Sequence, residues 1–266
     1  MQDPPALAEL LRPALFFSLL VAVSLCEQWR PLRLSDPQRL LRWPANFGLV
    51  AIGLVLIATL PLSMLAASRW AQGAGFGLFN HVEAPAWVEA VLAWLLLDLA
   101  MYALHRALHE VRWLWPLHRV HHSDVEFDVT TGLRFHPAEL LLSQMFRLGV
   151  VMLLGATLSA VLAYELALAA FLLFQHANLR LPRLLERVLR TVLVTPDMHR
   201  THHSVHRHET DSNYGNVLSV WDRLFHSYTP AARDAPREMR IGLTEFRVPG
   251  QQTLRALLTQ PLERRG

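Results

Sequence analysis

Long apolar stretches run along this chain, and polar residues punctuate them. Phe47 to Ala67 is an uncharged apolar run. At about 1.5 Å per residue it is long enough to cross a hydrocarbon core of about 30 Å. Ala84 to Leu104 is a second span, carrying Glu89 and Asp98. Ala14 to Cys26 is shorter and marginal as a span. Ala138 to Gln175 is mostly apolar and is broken by Arg147, Gly149 and Gly155. From about Thr229 the sequence turns polar and arginine-rich. The pattern predicts an all-α, integral membrane helical bundle, with membrane helices in 1–83, a central region in 84–228 and a tail in 229–266, together one structural domain.

Composition supports this reading. Of 266 residues, 52% are hydrophobic and 18% charged, against about 25% charged in an ordinary soluble domain. Mean hydropathy is +0.23. The chain has no lysine, so all its Lys+Arg charge is arginine, and with abundant alanine and leucine it reads as the product of a GC-rich bacterial genome. A pI of about 9.6 is compatible with nucleic acid binding. The arginines, however, flank the apolar runs, which fits a cytoplasmic membrane face and no nucleic acid partner. The single cysteine, Cys26, excludes an internal disulfide and a cysteine-built zinc or iron–sulfur site. The start, Met1-Gln-Asp-Pro-Pro, lacks the basic residues of a signal peptide and is expected to be retained.

Arginine bias also sets the topology. Arg30, Arg33, Arg39 and Arg42 precede the Phe47 run, whereas Ser68 to Pro85 holds only Arg69. The first connection therefore belongs in the cytoplasm and the second outside. The span after it returns to the cytoplasm with His105 and His109. Ala138 to Gln175 must then leave and return on one side, as a helical hairpin or re-entrant pair, if the histidines on either side of it are to meet.

Those histidines carry the chemistry. They are His105-x-x-x-His109, His118-x-x-His121-His122, His176 and His199-x-x-His202-His203. On a helix, positions i, i+3 and i+4 are neighbours about 5–6 Å apart, and an imidazole nitrogen binds a metal at about 2 Å. Nine imidazoles suit two ions with four or five nitrogens each. Imidazole suits Fe, Zn, Cu and Ni, so ligand type leaves the metal open. The acid of the first motif, Glu110, follows its second histidine, which is not the order of a zinc protease. A two-metal site at a membrane surface with no hydrolase motif points to dioxygen activation and attack on a lipid C–H bond.

The stretches His105-Arg-Ala-Leu-His109 and Leu114-Trp-Pro-Leu-His118-Arg-Val-His-His122-Ser resemble the fatty acid hydroxylase superfamily, which includes sterol desaturases. So do Thr195-Pro-Asp-Met-His199-Arg-Thr-His-His203-Ser, Asn213-Tyr-Gly-Asn and Trp221-Asp-Arg-Leu-Phe225. The resemblance runs from about Leu92 to Tyr228. It implies a non-haem di-iron oxygenase, with a histidine-rich helical cap on the cytoplasmic face of a bacterial inner membrane. It makes 84–228 the catalytic region and the nine histidines the ligands of two irons. His136, or Asn178 directly or through water, is open as a tenth ligand. O2 is the co-substrate, and electrons come from an external donor (a ferredoxin, a small haem carrier or a reductase). The substrate is a lipid: fatty acyl, sterol-like, carotenoid or ether lipid. The usual ending Gly-Thr is His226-Ser227 here, which leaves the turn geometry open.

Acids that accept the imidazoles' other N–H are expected among Asp98, Glu110, Asp124, Asp197 and Asp222. His81 reads as a satisfied core residue. His206, His208 and His226 read as surface groups or supports of the ligands. Trp87, Trp94, Trp113 and Trp115 read as an interface belt. Two other functions fit less of the pattern. A non-catalytic metal-binding or divalent-metal transport protein would string its histidines through the bilayer, and a b-type haem protein would leave most of the nine unused.

Overall fold

The computed structural model describes residues 4–34, 38–61 and 63–263. The chain's first three residues and Leu62 of the Phe47 run therefore lie outside the described residues. Helices α1 (Pro4–Trp29), α2 (Arg39–Ala58), α3 (Met64–Gly73), α4 (Ala86–Glu110), α6 (Pro137–Leu154) and α7 (Leu158–Gln175) form the bundle. Shorter helices gather around it: α5 (Trp115–His122), α8 (Arg183–Leu189), α9 (Pro196–His202), α10 (Arg207–Thr210), α11 (Val220–Leu224) and α12 (Leu254–Thr259). Among the described residues there is no strand, only three isolated bridges. Four helices, α2, α4, α6 and α7, are long and apolar enough to cross a membrane.

The first span differs from the sequence expectation. It is Arg39–Ala58, not Phe47 to Ala67. Pro61 has no N–H to donate and its ring crowds the preceding turn, so the helix has ended before it. A separate helix then starts at Ser63, whose side chain accepts a hydrogen bond from the Ala66 amide at 3.2 Å. The marginal Ala14 to Cys26 segment lies inside the 26-residue α1. The Ala138 to Gln175 region is two helices joined at Gly155, whose φ of 63° is a left-handed cap that glycine adopts without a Cβ penalty. The α3 segment closes that turn, with Ser68 Oγ donating to the Ala156 carbonyl at 2.7 Å and Gln72 to the Gly155 carbonyl at 2.5 Å. The core beneath it packs Leu65, Phe79, Leu97, Val151, Val161 and Tyr164.

At the opposite end the first turns of α2 and α6 meet the last turns of α1, α4 and α7. A buried polar knot ties α2 there to the loop that follows α5. Arg42, in the first turns of α2, pairs with Asp124. Asp124 also accepts from Asn46 at 3.3 Å and Thr131 at 3.0 Å. Arg134 donates to the Val120 carbonyl, Asn46, Ser123 and Gln252 at 2.8–3.1 Å. Burial alone would raise the Asp124 carboxyl, but Arg42 and Arg134 outweigh it and hold the group at about 2. Gln252 lies in the 229–266 tail, and α12 packs its Leu257 against Leu49 of α2 and Val120 of α5. The tail is therefore part of this knot. Asp124→Asn should take from the buried Arg134 its anion and leave Arg42 with Asp128 at 3.2 Å, and so destabilise the protein by about 3–5 kcal/mol. Thermal unfolding in detergent checks this, and a loss under about 1 kcal/mol would contradict it.

Candidate metal centre

Both H-x-x-H-H motifs lie on short helices that open with proline. Pro116 is the second residue of α5, and Pro196 is the first of α9, behind the Thr195 cap. Each helix divides its histidines in the same way. His118 and His122, one turn apart, join His105 and His109 of α4 and His202 of α9. His199 and His203, also one turn apart, join His121 of α5 and His176 at the end of α7. In each group one ring nitrogen per residue lies within 4.8 Å of the others, and all nine side chains are buried. All nine predicted residues are brought together, five in one group and four in the other.

The hydrogen bonds fix which nitrogen faces inward. His105 Nδ1 meets the Tyr214 carbonyl at 2.8 Å, and His202 Nδ1 meets the Ser212 carbonyl at 2.6 Å. A carbonyl can only accept, so each Nδ1 carries the proton and each Nε2 a lone pair. His118 Nδ1 meets Glu139 at 2.6 Å, which leaves its Nε2 in the same state. Yet His105 Nε2 lies 3.1 Å from both His118 Nε2 and His202 Nε2. Lone pairs this close need a cation between them. Two nitrogens about 2.1 Å from an ion and at right angles lie about 3.0 Å apart. His109 Nε2 points into the same group, buried and with no hydrogen-bond partner. In the second group His176 Nδ1 donates to the Leu172 carbonyl, and its Nε2 faces His121 and His199 at 3.1 and 2.9 Å. These residues fit a pair of metal ions.

Burial and the neighbouring imidazoles push His121, His122, His199 and His203 well below the ordinary histidine value. Burial likewise brings His202 to about 3 and His176 to about 4. Neutral imidazole is the metal-binding form.

His136 is in neither group. Its Nδ1 accepts from the Ala138 amide at 3.2 Å, and its Nε2 lies 3.3 Å from the Leu258 carbonyl, so its ring caps α6. Asn178 is also elsewhere: its amide bonds both the N–H and the carbonyl of Arg33 at 3.0 Å. None of the five expected supporting acids touches a ligand histidine. Asp98 lies two turns before His105 and instead accepts from Trp221 at 2.9 Å, Leu218 at 3.1 Å and Tyr164 at 3.3 Å. Glu110 pairs with Arg106, Asp197 with Arg200, and Asp222 takes the Tyr214 and Gly215 amides. The acids that do touch the ligands are Glu139, on His118, and Asp211, 3.3 Å from His109 Nδ1. Glu139 had a sequence signal, an acid in the first turn of an apolar helix. Asp211, 102 residues from its histidine, had none.

The remaining expectations divide. Trp115 is buried against His109 and His122, with ring centroids 5.0 and 5.6 Å apart, rather than sitting in a belt. Trp87 and Trp113 are exposed. His81, expected in the core, is exposed at the end of a 3₁₀ turn, where no packing demands it. His206 pairs with Asp234 at 3.2 Å, and His208 is exposed beside Glu209. His226 takes a φ of 58°, the conformation that suits the glycine it replaces. Ser227 bridges Asp222 and Tyr102.

Residues 90–227, just over half of the chain, match the family model described as fatty acid hydroxylase. Alkylglycerol monooxygenase of Xenopus tropicalis is 27% identical over 240 residues, covering 86% of this chain and 49% of that protein. The Danio rerio alkylglycerol monooxygenase is 31% identical over 160 residues, 57% of this chain and 33% of that protein. The ornithine lipid hydroxylase OlsE of Rhizobium tropici is 32% identical over 178 residues, 67% of this chain and 51% of that protein. The chain spans about half, or less, of the length of these relatives. No solved structure matches.

Two outcomes follow from the geometry. Glu139→Gln should weaken metal retention about 10–100-fold, while His136→Ala should keep it and lose about 1 kcal/mol of stability at most. Metal analysis after chelator competition checks both, and metal loss in the His136 variant would restore it as a ligand. Acid should also unfold the metal-free protein. Unfolded histidine titrates near about 6.5, above the folded values of about 4 and 3 for His176 and His202. The unfolded state therefore binds more protons below that point. Stability present above about pH 6.5 is lost as pH falls toward 4, and a melting temperature unchanged across that window would contradict this.

Proposed function

This chain belongs to the fatty acid hydroxylase family, and from that premise we propose that it is a membrane-bound, non-haem di-iron oxygenase acting on a lipid. His105, His109, His118, His122 and His202 would hold one iron, and His121, His176, His199 and His203 the other. Bound iron would supply the oxidant for a C–H bond, using O2 and electrons from an external donor; hydroxylation and desaturation share that first step. The facing lone pairs of His105, His118 and His202 are the observation that carries this reading.

The protein's own groups do the rest. Glu139 and the Tyr214, Ser212 and Leu172 carbonyls hold protons on Nδ1 and so aim Nε2 inward. The aromatic rings of Trp115, Phe127 and Phe135 pack against the imidazoles and exclude water. The nine rings sit at one end of the bundle, as a surface oxygenase needs and an ion path does not. The arginines around that end, Arg106, Arg112 and Arg119 among them, favour the cytoplasmic face of a bacterial inner membrane. Residues 84–228 form the catalytic region, 1–83 its membrane anchor, and 229–266 the tail that braces the Asp124 loop. The lipid is of a class the relatives' names suggest, an ether lipid or an aminolipid.

Expression in a lipid-defined host, followed by comparative lipidomics with a His121→Ala control, tests the proposal. The expected result is an oxygenated or unsaturated lipid absent from the control, and two irons per chain. Zinc or haem in the purified protein, or identical lipid profiles with two irons bound, would overturn it.

A further inference from the structure

The helix that follows the last membrane span is built inside out. A helix on the surface of a water-soluble protein turns its apolar side to the core. In α8 the buried residue is Glu186, which accepts from Thr195 Oγ1 and from Arg190 at 2.9 Å. Leu184, Leu185 and Val188 are bared instead, 71%, 44% and 58% exposed, and Val192 in the turn after the helix is 51% exposed. At about 100° per residue, Leu184, Leu185 and Val188 fall within an arc of about 100°, the width of an apolar stripe.

The chain on either side of α8 fixes its place beside the membrane spans. Before it, Pro31 at the end of α1 bridges Leu179, and the Arg180 amide donates to the Arg30 carbonyl at 3.1 Å. Trp29, next to Arg30, is 76% exposed, and an indole bared at a helix end belongs at the level of lipid headgroups. After α8, Leu193 bridges Leu218, and the Val194 amide donates to the Val217 carbonyl at 2.9 Å. The Leu218 amide in turn donates to Asp98 at 3.1 Å. Asp98 lies about three turns before the end of α4, roughly 18 Å along a membrane-spanning helix. The segment carrying α8 therefore runs from headgroup level to a point beside the length of a span.

Three arginines flank the stripe. Arg180, Arg183 and Arg187 are exposed, and among the described residues none of them has an ion pair or a side-chain hydrogen bond. The one acid of the helix, Glu186, faces inward, so the outward charge is all positive. Water suits the arginines and not the leucines. A second copy of this face would cover the leucines but set arginine against arginine. An anionic bilayer surface suits both, because the guanidinium groups meet phosphates while the apolar side chains pass below them.

We propose that α8 lies in the plane of the bilayer, in the leaflet nearest the histidines. Leu184, Leu185, Val188 and Val192 enter the acyl boundary, and Arg180, Arg183 and Arg187 bind the headgroups of anionic lipids. Because α8 leads into α9, this contact also holds three of the nine histidines at the membrane surface. The proposal goes beyond the oxygenase reading and does not depend on it.

Spin labels on the full chain test the embedding, in nanodiscs of phosphatidylcholine and phosphatidylglycerol, with Cys26→Ser removing the chain's own thiol. Labels at Leu184→Cys and Val188→Cys should relax faster with oxygen, which concentrates in lipid, than with a water-soluble nickel chelate. The reverse order would place the stripe in water, and protection from both would mean that protein covers it; either result overturns the proposal. Native mass spectrometry in micelles of equimolar phosphatidylglycerol and phosphatidylcholine tests the headgroup contact. Phosphatidylglycerol should bind in preference. The triple variant Arg180→Gln, Arg183→Gln, Arg187→Gln should lose about tenfold or more of that preference while its melting temperature holds. Equal binding of the two lipids by the unaltered chain, or a preference that the triple variant keeps, overturns the contact. Neither readout uses metal or turnover, so failure of the oxygenase reading would leave both results standing.

Discussion

Nitrogen lone pairs facing one another inside a dry protein are the constraint on which this structure depends. His105 Nε2 sits 3.1 Å from two other imidazole nitrogens whose protons are committed elsewhere. Protonating His202 would relieve the repulsion, but burial opposes its charged form. A cation is the remaining relief. Metal affinity and folding would thus be one equilibrium, because the rings are held together by parts of the chain about a hundred residues apart.

The scaffold has to supply rigidity at the place where helices end, and helix ends are the weak points of a bundle. The solution is polar. Arg42, Arg134 and Asp124 are fully buried and knit α2 to the loop that follows the second histidine motif. Glu27 of α1 accepts from the amides of Val129, at 2.8 Å, and Asn178, at 2.5 Å, two residues beyond His176. Asp98 reaches from α4 to Trp221 and Leu218. Of these acids, Asp98 and Asp124 were expected as direct supports of the imidazoles. They act one step further out, fixing the loops that carry the ligands.

The nine clustered histidines were legible because metal chemistry imposes short-range spacing, and short-range spacing survives in a sequence. Their division into five and four was not. Three histidines at i, i+3 and i+4 suggest one ion, yet His121 and His202 each cross to the group opposite their helix neighbours. That division depends on how α5 and α9 face each other, which no local pattern encodes. Arg42 was read as a charge flanking a membrane helix, and composition alone cannot separate such a residue from a buried one. The span itself was misplaced because an apolar run reports hydrophobicity, whereas Pro61 and the Ser63 cap decide where helix stops. Glu139 was within reach: the rule that singled out Asp98, an ionisable group on an apolar helix, applies equally to it.

The two histidine groups are chemically unequal. In the five-ring group His118 and His109 lean on carboxylates, and His105 and His202 on carbonyls. A carboxylate partner makes an imidazole a stronger donor. In the four-ring group only His176 has an oxygen behind it, while Nδ1 of His121, His199 and His203 is buried without a partner. The poorer donors surround the position beside Phe127. Held by this weakly donating set, an ion would be more electron-poor and readier to take a further ligand than one held by the five-ring group.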